Sequence, residues 1–483
     1  MFNQTAFPER KPDSVTFAVI VLIACSTLIY LPMIGKGFIH DDFVHVYHAG
    51  YSSFWNGLLQ PSSGAFFTPL TNLSYQIDWW LWGGNHPFPL ATENLILHIS
   101  NILLLFALAL RLWHSRYAAW WAAFGFSLLF PSNTWALMWI ATRAHLLVAF
   151  FYLIALHLVL RYAKSDRHKT AWVLAIAGSV ICVILAKESG ATILIAIPIM
   201  LIYGKKARLK KRIGGEDYVL IGILLALAAG YAVARSASGA IGLTFNTGNW
   251  YSYTVDWKVL LENFLRYGWR TFGLLALIAI GIYLERRLQH LTPRLSFVSK
   301  SDIFMSLALF FAAVAPFLLM RARSGIYTYL PGLCAALLLG SVAYSFSESV
   351  QEKPSQRRFA AHAPILLVSI VYIAFSFGYS LKWLSMAKTN TSIISQIHAL
   401  QPAIQAHSVI VLQYTEDDRV HRFPEGLSWG FPFAVRLRYK DPTLDGLLVR
   451  KGTPTSSEIS GPSICFEYQP NTRSVQIKRT ICY

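Results

Sequence analysis

Eleven long apolar runs, joined mostly by short loops, leave this 483-residue chain few ways to fold. Crossing the hydrocarbon core of a bilayer takes about 20 apolar residues. On that basis the runs near 15–34, 94–113, 117–131, 135–160, 171–186, 190–203, 217–235, 264–284, 302–320, 326–347 and 361–381 read as spans. A segment in lipid must pair its own backbone polar groups, so each span is expected to be a helix. Only 14% of residues are charged and 55% are hydrophobic, whereas soluble domains carry roughly 25% charged residues. The expected fold class is an all-α polytopic membrane protein of about 11 transmembrane helices. The 15 Trp and 23 Tyr suit the two membrane interfaces.

The formal charge of +18 does not point to nucleic acid. The basic residues gather in alternate loops: Arg111 with Arg116, Arg161 to Lys169, Lys205 to Arg212, Arg286 to Lys300, and Lys353 to Arg358. The intervening short loops hold few: Lys36, Lys187, Lys258, Arg321 and Arg323. The positive-inside rule then puts the N-terminus, with Arg10 and Lys11, in the cytoplasm. An odd number of spans puts the C-terminus outside. The first span lacks a small-residue cleavage site and reads as a retained anchor. The expected location is a bacterial-type inner (plasma) membrane, crossed many times.

Three segments then face outward: the loop 35–93, the loop 236–263 and the tail 384–483. The expected division is a membrane domain, 1–383, and a small extracytoplasmic α/β domain, 384–483. The tail opens with a helical pattern at Ile393, Ile397, Leu400 and Ile404. Strand-like runs follow at 409–412, 463–468 and 474–479. Cys25, Cys182 and Cys334 fall in spans and read as packing residues. Cys465 and Cys482 lie in the polar tail, where an oxidising compartment permits a disulfide.

The outward side carries the candidate chemistry. Asp41 and Asp42 follow His40 just after the first span. One Asp suffices to cap a helix, so a pair suggests more: a base for an acceptor hydroxyl, or oxygen ligands for a divalent cation, Mg or Mn. No cofactor is otherwise implied, and no Cys/His zinc spacing occurs. Lys187 and Glu188 stand after the fifth span, a cation for a phosphate with a carboxylate to orient it. Arg143 falls two to three turns into the fourth expected span, a depth that calls for a partner or a cavity. Arg321 and Arg323 end the ninth span on the outer side and are further phosphate candidates. His98 and Asn101 share a helix face and suit a supporting, hydrogen-bonding role. No glycine-rich nucleotide loop stands at a strand–helix junction.

The order of these motifs resembles the GT-C glycosyltransferases that use polyprenyl-phosphate sugars, nearest the protein O-mannosyltransferase-like branch. The acidic pair in the first outer loop carries the resemblance, together with Phe67-Thr68-Pro69-Leu70 and the stretch Asn94 to Asn101. Trp139-Ile140-Ala141-Thr142-Arg143-Ala144, Lys187-Glu188-Ser189-Gly190-Ala191-Thr192 and Tyr329-Leu330-Pro331 follow in the same order. The likeness spans roughly residues 15–345. Thr68 stands where that family usually has Arg.

The resemblance implies sugar transfer from a polyprenyl-phosphate donor to an acceptor hydroxyl on the periplasmic side. Asp41 or Asp42 would be the base, and Lys187, Arg143, Arg321 and Arg323 would hold the leaving phosphate. The acceptor is a glycan, a lipid or a protein. The alternatives are a flippase or transporter for a lipid-linked sugar, an O-antigen polymerase or ligase, and a non-enzymatic assembly subunit. A transporter would want polar residues at the midplane and internal repeats, and the sequence shows no clear repeat.

Overall fold

The computed structural model describes the chain except residues 1–12, 32–33, 36, 62–65, 85, 241–250, 289–298, 349–362, 416, 418–422, 452–461 and 479–483. Arg10, Lys11, Lys36, Arg294, Lys353, Arg357, Arg358 and Cys482 lie outside the described residues. Among the described residues, helices occupy all eleven expected positions. They are α1 (Asp13–Tyr30), then, after the first loop, α5 (Pro87–Trp113), α6 (Arg116–Ser127), α8 (Arg143–Lys164), α9 (Lys169–Ala186) and α10 (Ile193–Ile202). The series ends with α11 (Gly215–Ala237), α12 (Trp257–Leu288), α13 (Lys300–Leu318), α14 (Tyr329–Glu348) and α15 (Ala363–Leu400). Nine of these segments, counted with the turns that extend them (α10 within Glu188–Arg208, α8 within Ile140–Lys164), are long and apolar enough to cross a membrane. The other two are short: the apolar stretch of α1 is Thr16–Tyr30, and α6 has 12 residues, about 18 Å of rise. Nearly all of α6 is buried in protein, so it is an internal helix of the bundle.

Small residues let the central helices approach. Ala118, Ala119, Ala122 and Ala123 of α6 are fully buried. A methyl group on Gly340 of α14 would sit 2.8 Å from Trp113 and 3.0 Å from Ala122. Without a hydrophobic driving force between helices in lipid, such close packing supplies much of the association. On the basic side Lys205 donates to both oxygens of buried Asp217, at 2.7 and 2.6 Å. Asp302 receives Trp113, Tyr203 and Arg208.

The fourth expected span, 135–160, divides in two. A short helix α7 (Ser132–Met138) stops at Trp139, which is extended at φ −113°, ψ 105°. A 3-10 turn, Ile140–Thr142, then leads into α8. Thr142 Oγ1 stabilises the break by donating to the carbonyl of Trp139 at 2.6 Å. Arg143 is therefore the first residue of α8 rather than a residue two to three turns inside a span.

The loop between α1 and α5 folds into α2 (Asp42–Tyr51), α3 (Phe54–Leu59) and α4 (Pro69–Trp82). The tail holds β1 (Val409–Tyr414), α16 (Phe431–Tyr439), β2 (Asp445–Arg450), β3 (Ser463–Gln469) and β4 (Ser474–Lys478). Its sheet runs in the order β2-β1-β3-β4. β1 is parallel to β2, Val409 opposite Asp445, and to β3, Val409 opposite Ser463. β4 closes the edge antiparallel to β3, Cys465 opposite Lys478. Cys465 is disulfide-bonded. α15 runs unbroken from the apolar stretch to Leu400, so position 383 falls inside a helix and the helical pattern at 393–400 continues the last span.

Candidate active site

The acidic pair sits where the first loop meets α15 and the tail. Gly37 has φ +153°, and a side chain there would strike Thr391 Oγ1 at 2.7 Å and the Ala387 carbonyl at 2.8 Å, both on α15. His40 adopts φ +49°, a left-handed conformation uncommon outside glycine, and turns the chain into α2. Its N–H donates to the Gly426 carbonyl at 2.7 Å. Asn390 of α15 donates from Nδ2 to the carbonyls of Phe38 (3.1 Å) and Gly426 (2.7 Å). Gly430 packs so tightly on the His40 carbonyl that a Cβ would lie 2.1 Å from it. The His40 ring packs against both Trp139 and Trp383, at 5.3 and 6.2 Å.

The two carboxylates do different things. Asp42 is buried, 1% exposed, and both oxygens accept backbone N–H groups: Oδ2 from Ile39 at 3.0 Å, Oδ1 from Ala141 at 2.7 Å. It fastens the loop to the break before α8. Asp41 is the residue before α2 but makes no side-chain cap. Its Oδ1 accepts the indole N–H of Trp139 at 3.0 Å. Its Oδ2 receives no other side chain among the described residues. Burial pushes the Asp41 carboxyl up, against its own backbone N–H, Trp139 and the nearby Lys187 charge, which hold it down.

Lys187 is extended between α9 and the 3-10 turn Glu188–Thr192. Its Nζ lies 4.4 Å from the Phe66 ring centroid. Among the described residues no carboxylate comes within ion-pair distance of it. Burial lowers its pKa, while Glu188 and Asp41 raise it. Glu188 Oε1 accepts the Phe67 N–H at 2.7 Å and pairs with Arg235 at 3.4 Å. Thr71 donates to the Ala186 carbonyl at 2.9 Å. These bonds tie the start of α4 to the end of α9. Arg235, in the last turn of α11, does not stand out in sequence, although an Arg at the end of a span is the same signal that singles out Arg321.

The remaining candidates are distributed around this centre. Arg143 is 1% exposed and fully engaged: it pairs with buried Asp78, lies 3.3 Å from Glu93, and donates to Asn94, Ser74 and the Leu90 carbonyl. Its guanidinium lies over the Tyr75 ring at 4.6 Å. It therefore joins α4, α5 and α8 and presents no free edge to a ligand. Asp78, its main partner, was not singled out in sequence. Arg323 is held by Glu262, two bonds of 2.7 Å, and by Asn263 at 2.9 Å. Arg321 is exposed. His98 and Asn101 are buried away from the pair and meet at the Tyr329 hydroxyl, 2.8 and 3.2 Å away. Asn101 donates to that oxygen, so the hydroxyl proton is free to reach His98 Nδ1.

His45 and His48 face the same side of α2. His45 stacks on Tyr75 at 5.0 Å, and burial pushes it down to about 3, so it is neutral. Among the described residues no group of three or more His, Cys, Asp or Glu side chains is placed to hold a metal ion.

The order of membrane helices and the small α/β tail match the GT-C fold, as two solved structures show. The chain is similar to the crystal structure of ArnT from Cupriavidus metallidurans bound to undecaprenyl phosphate. That likeness covers 95% of this chain and 94% of the other, with a TM-score of 0.55 and 12% sequence identity. It is also similar to the Archaeoglobus fulgidus oligosaccharyltransferase in the apo form, over 90% of this chain, with a TM-score of 0.51 and 12% identity. The chain spans 64% of that longer protein. No protein-family model matches the sequence, and no curated protein does.

Proposed function

We propose that this chain is a membrane glycosyltransferase that moves a sugar from a polyprenyl-phosphate donor to an acceptor hydroxyl on the periplasmic side. The observation that carries this reading is Asp41, whose Oδ2 receives no other side chain among the described residues, near Lys187, a cation with no ion pair among the same residues. The acceptor oxygen attacks the anomeric carbon while Asp41 takes its proton. The bond from that carbon to the phosphate oxygen breaks, and polyprenyl phosphate leaves with the electron pair. A carboxylate base contributes typically 10²–10⁴-fold, and a fixed cation where charge develops lowers the barrier further. Lys187 holds the leaving phosphate, with exposed Arg321 in reserve. Glu188, His40 and His98 support the frame, and Arg143 and Arg323 serve through the ion pairs described above. ArnT, whose structure contains undecaprenyl phosphate, supports a lipid-phosphate donor. The disulfide at Cys465 supports a tail in an oxidising compartment, and so an extracytoplasmic site.

The test is transfer of a radiolabelled sugar from its polyprenyl phosphate in proteoliposomes. Asp41→Asn is expected to lose about 10² or more of kcat, and Lys187→Ala to lose activity without loss of folded protein. Full activity in Asp41→Asn would remove the base from this scheme.

A further inference from the structure

We propose that Trp139 is a positioning residue for Asp41 and that Trp383, on the helix leading into the tail, holds Trp139 in place. This rests on the transferase reading above. Among the described residues the Trp139 indole is the side chain that donates to Asp41, at 3.0 Å to Oδ1. A bond to one oxygen fixes the rotation of the carboxylate and leaves the other to face an acceptor.

Trp139 is itself held from two directions. Its backbone is at the α7–α8 break, where Thr142 Oγ1 binds its carbonyl at 2.6 Å and Asp42 grips Ala141 two residues on. Its ring lies near-parallel to Trp383, 6.2 Å between centroids with 29° between planes. Trp135 stands 5.9 Å from the same ring and His40 5.3 Å. Trp383 is 2% exposed and packs with Met386 and Ile39. The indole is thus fixed by a stack of aromatic rings, one of which belongs to α15.

The groups whose charge bears on Asp41 come from several elements. Lys187 stands at the end of α9, Asp42 is its neighbour in α2, Tyr75 lies on α4, and Tyr251 precedes α12. Of these only Lys187 is cationic. Removal of the indole N–H takes away a donor to the ionised form, so Asp41 binds its proton more tightly.

The experiment compares Trp139→Phe and Trp139→His with the unaltered full-length protein in lipid nanodiscs. One readout is carbodiimide labelling of the Asp41 peptide against pH, followed by mass spectrometry, which needs no activity. The other is kcat and KM for the lipid donor against pH. In Trp139→Phe the labelling midpoint and the acid limb of kcat are expected to move up together by about one pH unit, a tenfold change in proton affinity. KM should stay within about twofold, and Trp139→His, which keeps a ring N–H, should recover part of the shift. A labelling midpoint that does not move overturns the proposal. A midpoint that moves in a protein transferring no sugar defeats the transferase reading and leaves the positioning role standing. If neither Trp139 variant folds, Trp383→Phe is read the same way. It should give a smaller shift of the same sign, and no shift there also overturns the proposal.

Discussion

Asp41 and Asp42 are adjacent in sequence and have separate tasks. Asp42 satisfies two backbone amides, and Asp41 accepts the Trp139 indole N–H through Oδ1. Asp42→Asn puts an NH₂ where one amide needs an acceptor. It should cost about 1–3 kcal/mol, seen as a lower melting temperature, whereas Asp41→Asn should leave stability nearly unchanged. The Arg143–Asp78 pair extends the point. Burial pushes Asp78 up to about 7, with Arg143 pulling against it. A carboxyl raised in the folded state stabilises that state below its ordinary value of about 3.9, and this contribution fades as pH rises through the folded value. Arg143→Ala leaves Asp78 buried without its cation and should cost about 3–5 kcal/mol. The penalty should be larger at pH 8 than at pH 6, where Asp78 can take a proton. Thermal melts at the two pH values measure it. Sequence inspection reached both Asp residues, Lys187 and Arg143. It did not reach Asp78, because the partner of a buried charge is chosen by the fold and these two are 65 positions apart.

At the scale of elements, the break at Trp139 shows where an apolar pattern stops being informative. Residues 135–160 read as one span because hydropathy does not register a helix interruption. Long-range bonds hold the interruption: Asp42 takes the Ala141 N–H, and Tyr75 donates to the Ile140 carbonyl at 2.8 Å. The tail was legible to a similar degree. Three strands announced themselves by composition, while β2 and α16 did not, and their burial is partial. The contact between tail and loop yields a prediction. Gly430→Val places atoms about where the His40 carbonyl stands, 2.1 Å from an ideal Cβ, at a cost of order 1–3 kcal/mol. Limited proteolysis should then release the tail faster than in the unaltered protein.

For the whole molecule, the alternation of basic loops predicted a topology from charge alone. The helices that would carry it are present in order. Cysteines introduced at Lys206 and at Trp429, which is 78% exposed, should react with a membrane-impermeant maleimide from opposite sides of sealed vesicles. Labelling of both from one side would overturn the topology expected from the charge pattern.

The unbroken helix α15 has a mechanical meaning. Its 38 residues make a rod about 57 Å long, nearly twice the roughly 30 Å hydrocarbon core. Near its far end Gln396 clasps the backbone of Arg473 and Val475 in the sheet. The tail is therefore a load carried on a mast rather than a lid on a hinge. It can rock only if the mast rocks with it, and the mast carries Trp383. Whatever pushes on the tail is felt, through one rod, at the tryptophan that stacks on the partner of Asp41.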